Sequence, residues 1–155
     1  MNTLLKAEGM VTPSCSKSHI AYTFHLHREC RELHVAFAYE PKTLADEQLT
    51  EELIREGLGR YLPAERQGAI GDGWKEYSPL NNLLTLSFDD EDGFRGAGHR
   101  HDPDQHLIIT GTEASPGLVP GVFPRGQVTV MINLHCVVTE ECRYRLHVWE
   151  GGDGL

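Results

Sequence analysis

The feature that most constrains this chain is a strict two-residue alternation of apolar and polar side chains. It is clearest in "ELHVAFAYE", residues 32 to 40, and "CRYRLHVW", residues 142 to 149. In an extended backbone successive side chains point to opposite faces, so such runs are stable where one face is buried and the other is wet. Leu33, Val35, Phe37 and Tyr39 form one such face, and Cys142, Tyr144, Leu146 and Val148 another. "IAYTFHL" at 20 to 26 repeats the pattern with Ile20, Tyr22, Phe24 and Leu26. Further strands are read at "NLLTLSF" (82 to 88), "HLIIT" (106 to 110) and "QVTVMINLHCVV" (from 127). The last two runs are expected to pair as a hairpin. Placing Cys136 opposite Cys142 sets Leu134 against Tyr144, Ile132 against Leu146 and Val130 against Val148, whereas a slip of one residue would bury Arg143 and Arg145. The two cysteines are then cross-strand neighbours, with reduced sulfurs.

One segment breaks the alternation. "TLADEQLTEELIREGLGRYL" sets Leu49, Leu53, Ile54 and Leu58 at helical spacing, with a capping-box-like start at Thr43 and Asp46 and a stop at Gly57 or Gly59. A helix over 43–60 follows, then a long loop over 63–79 that Trp74 and Tyr77 pin to the body. Residues 1–17 read as a flexible N-terminal segment. No βαβ rhythm is present, and 155 residues fit one domain of about 100–200. The expectation is a mainly β protein: a single antiparallel, jelly-roll-like β-sandwich with one inserted α-helix.

Charge narrows the partners. A formal net charge of −9 repels phosphate backbones and anionic lipid, which argues against nucleic acid and membranes as partners. "MNTLLKAEGMVTPSCSKS" has no apolar run of signal-peptide or membrane-span length, so a cytoplasmic location is expected. The four cysteines make no CxxC pair, which speaks against a zinc ribbon and for packing thiols in a reducing compartment.

"NLLTLSFDDEDGFRGAG", "TEASPGLVPGVFPRGQVTVMINL" and "YRLHVW", with the upstream "YTFHLHRECRELHVAFAYEP", resemble the N-terminal β-sandwich module that precedes the catalytic domain of some PHP-type (polymerase and histidinol phosphatase) metallohydrolases. The likeness spans roughly residues 20 to 149 in family terms. More distantly the chain resembles bacterial pre-peptidase C-terminal domains, which are sandwiches without catalysis of their own. Asp90-Glu91-Asp92 stands where the family pattern has Asp-Pro, Ser115 replaces a Thr, and Val128 replaces an aromatic residue. The six residues after Trp149 cannot encode the large metal-binding barrel. The resemblance therefore implies an accessory module encoded alone. It would bind a protein partner, such as a separately encoded PHP-type hydrolase, or a carbohydrate-like ligand.

Three clusters are candidate sites. "DDEDGFRG" offers Asp90, Asp92, Gly93, Phe94, Arg95 and Gly96. It lacks the bidentate Glu of a calcium loop, so a structural reading is preferred, with Asp90 or Asp92 accepting turn N–H groups and Arg95 forking onto a carboxylate. "GHRHDPDQHL" supplies His99, His101, His106, Asp102 and Asp104, nitrogen and oxygen donors suited to a divalent metal such as zinc, nickel or copper. A second set is His25, His27 and His34, which a hairpin of strands 20–27 and 32–39 would bring onto one face, whereas a link crossing between sheets would separate His34 from the pair. A small metal-dependent hydrolase using these histidines is the competing reading. A solvated loop and a polar strand face are the favoured ones, with no cofactor and no catalytic residue assigned.

Overall fold

The computed structural model describes residues 2–61 and 71–152. They form two four-stranded antiparallel sheets, a β-sandwich with one α-helix. The strands are β1 (Asn2–Val11), β2 (Ser18–Leu26), β3 (Glu32–Glu40), β4 (Leu83–Asp90), β5 (Gly93–Ala97), β6 (Asp104–Thr110), β7 (Gly126–Cys136) and β8 (Cys142–Glu150). Sheet A runs β1-β8-β3-β6 and sheet B runs β2-β7-β4-β5. The alternating residues meet between the sheets, where Leu33, Phe37, Leu86, Phe88, Val130, Ile132, Leu146 and Val148 are all at most 1% exposed. Each such burial contributes about 1.5–3 kcal/mol.

The expected terminal hairpin is not formed. Strands β7 and β8 lie in different sheets: Cys136 stands opposite Leu83 on β4, and Cys142 opposite Val11 on β1. All four cysteines are free thiols, but this pair is not cross-strand. The faces were read correctly and the partners were not. Two runs with matching apolar faces satisfy burial equally well side by side or across the ~10 Å core, and alternation does not tell these apart. Likewise β2 pairs with β7, and β3 with β6 and β8, so residues 27–31 carry the chain across the sandwich. Among the described strands only β4 and β5 pair as sequence neighbours.

The N-terminal segment is also different from expectation. Residues 2–11 are a full strand, hydrogen-bonded along β8 with one irregularity between Thr3 and Leu5. Helix α1 spans Glu47–Tyr61. Asp46 caps it, its Oδ1 accepting from the Leu49 N–H at 3.0 Å. Thr43 instead donates to Asn81 Oδ1, and the helix runs through Gly57 and Gly59. The buried face of α1 carries Thr50 and Ile54. Residues 63–70 of the expected 63–79 loop lie outside the described residues; Gly71–Tyr77 is a 3₁₀ segment in which Trp74 is buried but Tyr77 is 56% exposed, so of these two aromatic residues the tryptophan is the anchor.

Asn82, fully buried, joins three segments. Its Nδ2 donates to the Pro41 carbonyl and Thr139 Oγ1, both at 2.8 Å, while its Oδ1 accepts from the N–H groups of Val138 and Thr139. All its hydrogen-bonding capacity is used, which is what burial of an amide requires.

Candidate functional site

The three sequence clusters do not assemble into one centre. His25 and His27 sit at the end of β2, both exposed, with ring centroids 5.2 Å apart. His34 lies on the other sheet. His99, His101 and Asp102 are exposed in the β5–β6 connection, which is held by its backbone: the Gln105 amide donates to the carbonyls of Arg100 and Asp102, and the Tyr39 N–H to that of Pro103. Asp104 and His106 belong to β6 and face away from the core. Among the described residues no three His, Cys, Asp or Glu side chains converge in a way that could hold a metal ion.

Residues 90–96 form a tight hairpin instead of an open loop. Asp90 Oδ1 accepts from the N–H groups of Asp92 (2.7 Å) and Gly93 (3.1 Å), and Gly93 and Gly96 hold φ of 132° and 109°. Asp90 Oδ2 pairs with Arg95 Nη1 at 2.8 Å, and both side chains are under 10% exposed. Arg95 Nη2 donates to the carbonyls of Val119 and Gly121, and the guanidinium lies 3.9 Å from the centroid of Phe123. This group ties the 111–125 connection to sheet B. Phe94, 65% exposed, takes no part in it.

The chemistry concentrates on the outer face of sheet A. Register lines up three rows across its strands: Thr3, Trp149, His34 and Ile108; Lys6, His147, Ala36 and His106; Glu8, Arg145, Ala38 and Asp104. Ala36 and Ala38 leave the centre low, and a groove of about 570 Å³ opens above them, lined also by Lys6, Glu8, Asp104, Arg145 and His147. Two further depressions, of about 500 and 280 Å³, share Glu8 and Arg145, and Ala38, Asp104 and Arg145, with it. The result is one extended trough across the sheet. The side chains of Lys6, Glu8, Asp104 and Arg145 make no hydrogen bond or ion pair with another described residue.

On the same face, His147 of the groove belongs to a ring cluster around Trp149. The His34 ring stacks on it at 5.2 Å and 10°, with His106 at 5.3 Å and His147 at 4.8 Å. Glu32 Oε1 accepts from His34 Nε2 at 2.8 Å, His34 Nδ1 meets His106 Nε2 at 3.0 Å, and Thr3 Oγ1 meets His147 Nε2 at 3.0 Å. With the Nε2–H of His34 committed to the carboxylate, one proton bridges the two imidazoles. These bonds fix the rings as a rigid wall. The Thr3 hydroxyl on His147 and the Glu32 carboxylate on His34 close the two ends of the cluster.

The sequence reading picked out His34, His106 and Asp104 but missed Lys6, Glu8, Arg145, His147, Trp149 and the two alanines. A signal existed: on β3 the outward positions 36 and 38 are alanines alternating with buried Val35, Phe37 and Tyr39, and β8 sets Arg143, Arg145 and His147 on its polar face.

No family profile and no curated protein matches this chain. A solved structure of a Sulfurospirillum deleyianum protein is similar at 7% identity and a TM-score of 0.33, over 95% of this chain and 98% of that one. No helix among the described residues is long and apolar enough to cross a membrane.

Proposed function

We propose that this chain is a non-catalytic binding module whose ligand, a carbohydrate-like chain, lies in the trough on the outer face of sheet A. One observation carries the reading: charged groups of both signs, Lys6, Glu8, Asp104 and Arg145, stand without described partners around a floor of two alanines. Sugar hydroxyls donate and accept at once, so they match a site where carboxylates and a guanidinium alternate. A phosphate chain would meet the two carboxylates, and an apolar ligand would strip water from four charges without replacing it. The joined depressions suit an elongated molecule, and His147, packed on Trp149, stands at the edge of the groove. The likeness of residues 20 to 149 to the sandwich beside PHP-type catalytic domains supports an accessory role, with a separately encoded hydrolase of that class as the protein partner.

The test is calorimetry and amide-shift mapping against a panel of neutral oligosaccharides. Shifts should centre on residues 34–38, 104–106 and 145–149. Arg145→Ala and Asp104→Ala should each weaken binding by about tenfold or more, the loss of one charge-assisted hydrogen bond, while leaving the melting temperature unchanged. Absence of binding across the panel, or binding that both substitutions leave intact, would overturn the reading.

A further inference from the structure

The two sides of the sandwich are finished differently. On the β5–β6 side the chain from 111 to 125 folds over the opening, bridging Gly96 to Leu118 and Ile109 to Ala114, and it buries Leu118 and Phe123. On the β1–β2 side the inward-facing Leu5, Ile20, Tyr22 and Phe24 stay half-exposed, although Tyr144, Leu146, Val130 and Ile132 one strand inward are at most 5% exposed. Strand β1 is the rim there: ten residues, no proline, pairing with β8 on one side only. A long edge of this kind is a template for another strand.

The charges on β1 select the strand that fits. We propose that β1 pairs antiparallel with β1 of a second copy about a two-fold axis at Ala7, joining two four-stranded sheets into one. Lys6 then stands opposite Glu8 of the copy, twice by symmetry, all on the outer face, and Leu4 stands opposite the half-exposed Met10. Registers that keep inward residues against inward residues differ by steps of two in the summed residue numbers. The step below places Lys6 on Lys6 at the axis, and the step above places Glu8 on Glu8. Like charges directly opposite are destabilising in a sheet, so of these three centres Ala7 is the one that the charges of β1 favour. The same axis brings the half-exposed Ile20, Tyr22 and Phe24 of both copies to one seam.

Sedimentation equilibrium on the full chain tests this through mass, a readout independent of any ligand in the trough. The wild type should be a dimer at micromolar concentration. Lys6→Glu and Glu8→Lys should each raise the dissociation constant by about tenfold or more by setting like charges opposite, and the double exchange should return it to within about threefold of wild type. Amides of residues 5–9 should gain hydrogen-exchange protection as the wild-type concentration rises, which holds even where a variant folds poorly. A chain that stays monomeric, leaving the edge to a strand of another protein, overturns the proposal. So does a dimer indifferent to the single exchanges, or one that the double exchange fails to restore.

Discussion

Replacing Asp90 with alanine would measure what the 90–96 hairpin contributes to the fold. Asp90 and Arg95 are 5% and 9% exposed, 2.8 Å apart, and the guanidinium is held by two carbonyls over Phe123. Asp90→Ala would leave that cation buried without a counter-charge, a change that costs about 3–5 kcal/mol. The Asp92 and Gly93 N–H groups also lose their acceptor, but both residues are exposed and water replaces it, adding about 1 kcal/mol at most. At about 2–4 °C per kcal/mol for a chain of this size, the melting temperature should fall by roughly 6–20 °C. Arg95→Met, which keeps an unbranched stem on Phe123 while removing the charge, should cost a comparable amount because it strands the carboxylate and two carbonyls. The double variant should be less destabilised than the sum of the two by about 1–3 kcal/mol, the coupling expected of groups in direct contact. Equilibrium urea denaturation at pH 7, with an unchanged m-value, reads all three quantities. A single Asp90→Ala cost below about 1 kcal/mol, the scale of a solvent-exposed ion pair, would refute the claim that this pair is held in a dry environment.

Other expectations rest on separate parts of the fold. Gly96→Ala should abolish folding or cost more than about 3 kcal/mol in the same denaturation assay, since a Cβ there would strike the Gly117 carbonyl and the Leu118 backbone at a φ of 109° that side chains rarely adopt. Asn82→Leu should cost about 3 kcal/mol or more by orphaning the Val138 and Thr139 N–H groups and the Pro41 carbonyl, and a loss under about 1 kcal/mol would show those groups reaching water. Burial pushes the Cys30 thiol up to about 11 from an ordinary value of 9.0, and burial with the Tyr22 hydroxyl raises the Tyr144 phenol. Both groups fold best when neutral, so their contribution is complete below pH 9 and declines as pH rises toward and past 11. Urea midpoints from pH 8 to 11 should show the decline, shallower in Cys30→Ala. Mild maleimide treatment should label half-exposed Cys15 first, where a backbone hydrogen bond at Thr12 and then the Thr12 hydroxyl lower the thiol pKa. Equal labelling of Cys30 would contradict its burial.

What the amino-acid order decided by itself was the direction of each side chain. Alternation is a local property of an extended backbone, so Leu33 to Tyr39, Val128 to Leu134 and Cys142 to Val148 could be assigned to the core without knowing any neighbour. The Asp46 cap, the helix it starts and the Asp90 turn are equally local, each closed within about five residues. Strand partnership is not local. The inner faces of both sheets show the same pattern, so nothing in residues 127–149 distinguishes a hairpin from a crossing between layers, and nothing in residues 2–11 shows that β8 has a free flank for them. The candidate site belongs to this second kind. Lys6, Ala36, Asp104 and Arg145 come from four strands scattered along the chain, and they share a trough only because sheet A is ordered β1-β8-β3-β6; His34 is parted from His25 and His27 because β2 and β3 lie in opposite layers.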